Sequence, residues 1–306
     1  MALSTWFYGN MQWWELVPWI AAGFLLNIAI MVWAWEKQHL TRNAGIVAFA
    51  MGCSMWLVEP TFFMLLLAFF MSSSVLSKFN RAAKKSLAET AQKGSQRDVI
   101  QVLSNGLLAW VCVALYMPAI LLLQAPLDTH LGATLAFSTM AAIGAPNADT
   151  WSTELGALSR KNPRWIFHLH REVEKGTSGG ISPEGTLAAL AGAALIAGLG
   201  SILAMPSNLL VRLGIPITDP RWIGLIVVII LASFGGCIVD SMFGASIQGF
   251  FECTTCKKGT EKKMHCGMPT VLLRGKAWFD NDVVNFTSVA IATIITFGTG
   301  LVLLLA

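Results

Sequence analysis

Carboxylates set among hydroxyl residues are the first sign of chemistry in this sequence. The stretch DTWSTELG, residues 149–156, places Asp149 and Glu154 beside three hydroxyl side chains, one of them Thr153. Hard oxygen ligands of this kind suit Mg²⁺, which keeps several waters and takes one or two carboxylates together with substrate phosphates. We therefore predict that Asp149 and Glu154 are catalytic residues that bind Mg²⁺. The alternative for Asp149 is that it only caps a short helix.

A third carboxylate, Asp240, belongs to the stretch DSMFGASIQG. Asp240, Gly244 and Gln248 recur every four residues, so on a helix they share one face. Gly244 would leave space on that face for a ligand or a neighbouring helix. We predict that Asp240 is a further catalytic Mg²⁺ ligand and that Ser241 and Gln248 contact the substrate or a nucleotide.

The stretch GTSGGISPEGT, residues 176–186, runs directly into an apolar segment. Ser182 and Pro183 have the residue types of a helix N-cap and first turn. Backbone amides of a glycine-rich turn ahead of a helix form an anion site without any charged side chain. The alternative is a capped helix after a flexible loop. The predicted binding residues here are Thr177, Gly179, Gly180, Ser182, Gly185 and Thr186.

Other polar residues near predicted helix ends complete the set. We predict that they bind the substrate or the nucleotide together with Thr153: Ser73, Ser74, Lys78, Arg97, Asn105, Asn281, Asp282 and Asn285. The cations Lys78 and Arg97 could neutralise phosphate oxygens. Lys84, Lys85 and Lys93 are interpreted instead as surface charge that attracts anionic lipid.

The stretch CTTCKKGTEKKMHCG brings together Cys253, Cys256, His265 and Cys266. A CxxC pair followed by His-Cys is typical of a small structural Zn²⁺ site. Because His265 and Cys266 are adjacent in the chain, it is difficult for both to bind the same ion. A single CxxC pair is also a weaker signal than two. We nevertheless predict a structural Zn²⁺ at these residues, in addition to the catalytic Mg²⁺.

The composition indicates the elements that must position these residues. The chain has 306 residues, of which 55% are hydrophobic and 12% charged, and its mean hydropathy is +0.62. This is typical of a polytopic membrane protein. We predict an all-α fold, a single membrane domain over residues 1–306 with about eight transmembrane spans, short re-entrant or interfacial segments, and a cytosolic loop at 251–280. The spans are Val17–Trp35, Ala44–Val58, Pro60–Met71, Gly106–Leu123, Leu131–Ala145, Leu187–Met205, Trp222–Val239 and Val283–Leu305.

Two features of these spans lead to structural predictions. The second and third are short and adjacent, so they form either a tight hairpin or a re-entrant pair. The sixth carries Ala189, Ala193 and Ala197 at intervals of four, with Ala188 and Gly192 beside them. Small residues at this spacing let helices approach closely in lipid, which predicts a central, tightly packed helix, with a flexible helix as the alternative.

The distribution of Lys and Arg predicts the orientation, because cytoplasmic loops are enriched in both. With eight crossings, only Arg212 and Arg221 of the 21 basic residues fall on the other side. We therefore expect a cell-membrane protein with both termini outside the cytosol and the polar motifs at the cytosolic membrane face. The net charge of +4 then reflects membrane topology, and no nucleic-acid partner is expected.

Taken in order, the motifs resemble those of a membrane-protein family that includes the plant chloroplast phytyl-phosphate kinase and many bacterial and archaeal relatives. The family pattern has a serine-rich stretch followed by Lys, then D-T-x-x-S-E-x-G, G-T-x-G-G-x-S-x-x-G-T, D-S-x-x-G-A-x-x-Q and an N-N-x-x-V-N-like motif. The chain matches at residues 72–78, 149–156, 176–186, 240–248 and 281–285. It departs at Thr153, where the family has Ser, and at Asp282, where the family has Asn.

The resemblance implies phosphoryl transfer from a nucleoside triphosphate, CTP in the plant enzyme, to a prenyl monophosphate such as phytyl phosphate. The implied partners are CTP or another nucleoside triphosphate, the prenyl monophosphate and membrane lipids. A prenyl monophosphate is already an anionic nucleophile, so such a site needs charge neutralisation and in-line positioning more than a strong base.

Two other functions are compatible with these residues. A CTP-dependent lipid cytidylyltransferase would use the same metal and triphosphate but attack the α-phosphorus and make a CDP-lipid. A transporter or flippase would place its binding residues near the bilayer midplane and show internal repeats. The motifs crowd one membrane face and no convincing repeat is present, which favours an enzyme.

Overall fold

The computed structural model describes residues 13–80, 92–94, 96–122, 126–204 and 219–305. Within these ranges the chain forms eight helices, which correspond one to one with the predicted spans. They are α1 (Trp13–Glu36), α2 (Arg42–Val58), α3 (Pro60–Lys78), α4 (Val99–Leu122), α5 (Pro126–Gly156), α6 (Pro183–Ala204), α7 (Pro220–Ser246) and α8 (Asn281–Leu305). The predicted all-α bundle is confirmed.

Every second connection between helices lies at the same end of the bundle. The Thr41 N–H donates to the Arg97 carbonyl at 3.0 Å, which joins the first two of these connections. The Glu261 carboxylate accepts from the Gln92 N–H at 3.2 Å and from the Ser178 hydroxyl, which joins the other two. We call this end the loop face. Its described residues are 37–41, 79–80, 92–94, 96–98, 157–182 and 247–280.

Helices α2 and α3 form a tight hairpin at the opposite end. Glu59 alone separates them, and its carboxylate accepts a 3.3 Å hydrogen bond from the Thr61 N–H at the start of α3. The Glu59 N–H donates to the Met55 carbonyl at the end of α2. One buried residue therefore ends one helix and begins the next, as the hairpin alternative predicted.

Six helices are long and apolar enough to cross a membrane, namely α1, α3, α4, α6, α7 and α8. Helix α2 is apolar but has 17 residues, and α5 has 31 residues with many hydroxyl groups. The hydroxyls of Thr134, Ser138 and Thr139 are buried and bond back to their own helix, as Ser138 does to the Thr134 carbonyl at 2.7 Å. Because its polar groups are satisfied internally, α5 can occupy the centre of the bundle.

Helix α6 packs closely against α5 through small residues. Ala189, Ala193 and Ala197 are each at most 1% exposed. A Cβ atom added at Gly192 would lie 3.2 Å from the Cα of Ala148 in α5. At this spacing the two backbones are nearly in contact, which confirms that the sixth span is a tightly packed helix.

Two small antiparallel sheets lie at the loop face. The first, between α5 and α6, has the order β2-β1-β3, and the second, between α7 and α8, has the order β5-β4-β7-β6. Their strands are β1 (Arg164–Trp165), β2 (His168–Glu172), β3 (Gly180–Ile181), β4 (Phe250–Cys253), β5 (Gly259–Thr260), β6 (Met264–His265) and β7 (Met268–Arg274). The predicted loop at 251–280 is thus largely the second sheet.

Candidate active site

A cleft of about 550 Å³ opens at the loop face. Its walls are the C-terminal ends of α3, α5 and α7, the N-terminal ends of α4, α6 and α8, and the glycine-rich loop at 176–182. The predicted residues that line it are Arg97, Asn105, Asp149, Thr153, Glu154, Thr177, Gly179, Gly180, Ser182, Gly185, Asp240, Ser241, Gln248, Asn281, Asp282 and Asn285. The alternating helix directions bring them together, while their roles stay predictions.

The serine-rich end of α3 contributes less to the cleft than its motif predicted. Ser73 and Ser74 are buried, at 0% and 2% exposure, and do not line the cleft. The Lys78 ammonium lies outside the cleft and donates to the carbonyl of Lys37 in the neighbouring connection. Ser77 is the hydroxyl residue that α3 presents to the cleft.

The start of α6 forms one wall of the cleft. The Ser182 hydroxyl accepts from the Gly185 N–H at 3.1 Å, and Pro183 is the first helical residue, which confirms the predicted cap. The Thr186 N–H donates to the Ser182 carbonyl at 2.8 Å, and Thr186 lies outside the cleft. A Cβ atom at Gly185 would lie 3.0 Å from the Ser152 carbonyl oxygen of α5. A residue without a side chain is therefore needed where the two helix ends meet.

The glycine-rich loop packs directly on the end of α7. Gly179 has a φ of +86°, a conformation that favours glycine, and a Cβ atom there would lie 2.4 Å from the Cβ of Ala245. A Cβ atom at Gly244 would in turn lie 3.2 Å from the Gly179 nitrogen. The space at Gly244 therefore accommodates this loop, and the two glycines fix the loop at the cleft wall.

Asp149 and Asp240 enter the cleft from adjacent helices. Asp149 lies within the last two turns of α5, so the alternative that it caps the start of a helix is wrong. One of its oxygens is 4.0 Å from the sulfur of Cys237 in α7. Asp240 accepts a 3.3 Å hydrogen bond from the Ser288 hydroxyl of α8. Each carboxylate is thus held between two helices.

Glu261, which the sequence analysis missed, is the third carboxylate of this group. Its oxygens accept from the Ser178 hydroxyl and, at 3.2 Å, from the Gln92 N–H. Burial raises the pKa of Glu261 above its ordinary value. The carboxylates of Asp149, Asp240 and Glu261 are close enough to repel one another. We call these three residues the acidic group.

The acidic group has the donor chemistry of a divalent cation site. Mutual repulsion between carboxylates in a buried cleft is offset by a bound cation, and oxygen donors suit Mg²⁺. Their oxygens do not converge into one compact set of ligands among the described residues, as expected for an ion that keeps waters and phosphate ligands. Glu154 also lines the cleft and attracts the Arg97 guanidinium, and its role as a metal ligand stays a prediction.

Arg97 is placed between aromatic rings at one edge of the cleft. Its guanidinium lies 5.8 Å from the ring centres of both Phe69 and Phe70. Burial lowers the pKa of Arg97 to about 10, against an opposing attraction from Glu154. The residue therefore stays charged at neutral pH, in a setting that favours binding of an anion.

Lys93 is part of the cleft, so its interpretation as surface charge is wrong. Its ammonium lies 2.7 Å from a carboxylate oxygen of Asp98 and 2.5 Å from a carboxylate oxygen of Asp282, which belongs to the first turn of α8. Burial acts to lower the pKa of Lys93, but the hydrogen bonds to Asp282 and Asp98 outweigh it and the net shift is upward. The other oxygen of Asp282, Oδ1, is buried and has no hydrogen-bond partner among the described residues. Lys84 and Lys85 lie outside the described residues.

An apolar pocket of about 100 Å³ adjoins the cleft. It lies between α1, α2, α3 and α4 and is lined mainly by aliphatic and aromatic side chains. The residues that it shares with the cleft are Phe69, Arg97, Gln101 and Asn105. Arg97 therefore stands where an apolar space meets a polar one.

The four predicted zinc ligands come together on the second sheet. The sulfurs of Cys253, Cys256 and Cys266 and a ring nitrogen of His265 all lie within 4.8 Å of one another. The Cys256 N–H donates to the Cys253 sulfur, and this bond is the largest of several hydrogen bonds that together lower the pKa of Cys253 to about 6. These features fit a site for thiolate ligands.

Comparison with known proteins places this architecture in a family. The family described as integral membrane protein DUF92 matches residues 25–293. The chain belongs to the DUF92 family of integral membrane proteins. This DUF92 match spans the cleft residues from Arg97 to Asn285 and confirms the family resemblance drawn from the motifs.

Three relatives of this DUF92 protein show how widely the similarity extends. Protein PGR of Arabidopsis thaliana is 29% identical over 282 residues, covering 89% of this chain and 93% of that protein. Uncharacterized membrane protein MJ0933 of Methanocaldococcus jannaschii is 31% identical over 183 residues, covering 58% of this chain and 69% of that protein. Protein VTE6, chloroplastic, of Arabidopsis thaliana is 24% identical over 257 residues, covering 84% of this chain and 64% of that protein. No solved structure matches the chain.

Proposed function

We propose that this protein is a prenyl monophosphate kinase that transfers the γ-phosphoryl group of a nucleoside triphosphate, CTP in particular, to a prenyl phosphate in the membrane. The observation that supports this most strongly is the junction of the polar cleft and the apolar pocket at Arg97. A substrate with an ionic head and a hydrocarbon tail requires both environments side by side. The motif resemblance and membership of the DUF92 family support phosphoryl transfer.

In this proposal the lipid binds with its phosphate at Arg97 and its tail in the apolar pocket. The planar guanidinium can bind two phosphate oxygens at once, while Phe69 and Phe70 keep it in place. A pocket of about 100 Å³ takes only the first part of a long prenyl chain. The remainder of the chain would extend between helices into the lipid.

The nucleotide phosphates bind at the wall where the glycine-rich loop precedes α6. Amides at a helix start and in a glycine-rich turn attract phosphate without a lysine. Asp149, Asp240 and Glu261 would hold Mg²⁺ beside them, with Asp149 and Asp240 steadied between helices. When bound, Mg²⁺ supplies neutralisation of charge on the β- and γ-phosphate oxygens.

The chemical step is an in-line displacement. An anionic oxygen of the prenyl phosphate forms a bond to the γ-phosphorus, and the bond from that phosphorus to the β-phosphate oxygen breaks. The electron pair leaves with the nucleoside diphosphate, so the products are a prenyl diphosphate and a nucleoside diphosphate. No proton must be removed from the nucleophile, which fits a cleft in which no histidine is found among the described lining residues.

We further propose that the loop face is cytosolic. The described basic residues at this face are Lys37, Arg42, Lys78, Lys93, Arg97 and those within 160–175 and 257–276. Arg221, paired with Asp219 at 2.7 Å, lies at the other end of the bundle, at the start of α7. Positive residues concentrate in cytoplasmic loops, and the cytosol is where nucleoside triphosphates are available.

Purified protein in detergent tests the activity directly. It is incubated with Mg²⁺, each of the four nucleoside triphosphates and prenyl monophosphates of several lengths, and the products are identified by mass. A prenyl diphosphate with a nucleoside diphosphate supports the proposal, and excess EDTA should abolish both products. Pyrophosphate with a CDP-lipid would instead identify a cytidylyltransferase. Binding of the lipid without any turnover would favour a transporter.

A further inference from the structure

The second sheet presents four metal-binding side chains from two turns that lie side by side. Cys253 and Cys256 belong to the turn between β4 and β5, and the Cys253 carbonyl accepts from the Lys257 N–H at 3.0 Å. His265 and Cys266 belong to the turn between β6 and β7. Because β4 pairs with β7, the two turns are neighbours.

The distances between these side chains fit a tetrahedral zinc ion. Zn–S bonds of about 2.3 Å place ligand atoms about 3.8 Å apart. The His265 Nδ1 atom lies 3.5 Å from the Cys256 sulfur and 3.3 Å from the Cys266 sulfur, and the full set lies within 4.8 Å. Cys266 has a left-handed backbone with a φ of 53°, followed by Gly267 at 76°. This turn allows two adjacent residues to direct their side chains to one point.

Glu261 lies in the chain between the two ligand pairs. It follows β5 and precedes β6, each of which has only two residues. Such short strands hold a segment weakly by themselves. Yet this segment must extend to the cleft, where Glu261 accepts hydrogen bonds from Ser178 and Gln92.

We propose that Cys253, Cys256, His265 and Cys266 bind a structural zinc ion, which ties the two turns together and thereby holds Glu261 in the cleft. The metal is outside the acidic group and takes no part in the reaction. Glu261 is the positioned residue, and the zinc site is what positions it. Only the expected effect on turnover rests on the proposed kinase function.

The first experiment measures metal content. Full-length protein is purified through a tag without histidines, in metal-depleted buffers, and analysed by mass spectrometry for bound metals. We expect about one zinc per chain in the wild type and in Cys53→Ser, a matched control in a membrane helix. Cys256→Ser should lose most of its zinc. Wild type without zinc, or Cys256→Ser with the full amount, would overturn the proposal.

The second experiment measures hydrogen exchange in peptides that contain residues 259–263. Exchange should be slow in the wild type, become faster when a chelator removes the zinc, and slow again after zinc is returned. This measurement on the wild type does not depend on whether Cys256→Ser folds. Loss of zinc with unchanged exchange in this segment would show that the metal does not position Glu261.

Turnover provides the last comparison. Glu261→Gln should keep its zinc and lose turnover, while Cys256→Ser should lose both. If the protein proves to have no kinase activity, the metal and exchange results still decide whether the zinc site exists. A zinc-free wild type that remains an active kinase would refute the zinc site and leave the proposed function standing.

Discussion

The polar cleft and the apolar pocket differ in almost every respect although they share Arg97. The cleft, at about 550 Å³, is formed mainly by the ends of α5 to α8 and by the glycine-rich loop at 176–182, and it contains the acidic group. The pocket, at about 100 Å³, lies among α1 to α4 and is lined mainly by hydrocarbon. Helices α1 to α4 thus enclose the apolar space, while the acidic group comes from α5, from α7 and from the connection between α7 and α8.

Under the proposed function, this contrast means that separate parts of the bundle recognise the head and the tail of the lipid. Their only cationic meeting point among the described residues is Arg97, whose guanidinium lies between two phenylalanine rings. Substitutions in the cleft should therefore affect the chemical step, and those in the pocket should affect only the choice of lipid. Four predictions test this division.

The largest effect is expected for Asp240→Asn, which removes one carboxylate of the acidic group. Loss of an electrostatic contact to the reacting groups typically costs about 10²–10³-fold in turnover, and kcat with saturating lipid measures it. Asp219→Asn is the matched control, because Asp219 precedes the same helix at the opposite end, where it bonds to Arg221. Equal turnover of Asp240→Asn and wild type would show that Asp240 takes no part in catalysis.

Arg97→Gln should mainly weaken binding of the lipid phosphate. Hydrogen bonds to a charged group are worth about 1.5–3 kcal/mol, so kcat/KM for the prenyl phosphate should fall by about 10–100-fold. Arg42→Gln removes an exposed arginine that lies outside both spaces and serves as the control. If Arg97→Gln changed only the KM for the nucleotide, the lipid phosphate would have to bind at a position other than Arg97.

Gly179→Ala should destabilise the wall between the cleft and α7. The added methyl group would meet Ala245 at 2.4 Å in a conformation that favours glycine, and such strain costs about 1–3 kcal/mol. Thermal unfolding in detergent should show a lower midpoint. Gly198→Ala, with no neighbouring atom within 4 Å, should unfold at or above the wild-type temperature. A wild-type midpoint for Gly179→Ala would contradict the close packing described here.

The smallest effect is expected for Ala48→Phe, which fills part of the pocket. We expect about a fivefold loss of selectivity for a long prenyl phosphate over a short alkyl phosphate, since one buried group contributes about 1 kcal/mol to such discrimination. The kcat for the short acceptor should not change. Ala50→Phe, on the exposed side of the same helix, is the control, and equal selectivity of the two variants would show that the tail binds elsewhere.

The sequence was sufficient to predict the bundle and most of the cleft, because the polar motifs sit at helix ends and the helices alternate in direction. It could not predict the rotation of α3, which buries Ser73 and Ser74 and leaves Ser77 at the cleft. Glu261 was missed because it stands among lysines in KKGTEKK, a pattern that usually indicates a solvated loop. Only the pairing of β4 with β7 reveals where that segment lies.

The concentration of cleft residues at one end of the bundle has an energetic consequence. Moving one elementary charge across a membrane at 100 mV requires or releases about 2.3 kcal/mol. Here the acidic group, the phosphates and Arg97 would all remain at the loop face throughout a turnover. The rate in sealed vesicles should therefore be independent of an imposed transmembrane voltage, whereas electrogenic movement of a charged lipid would depend on it.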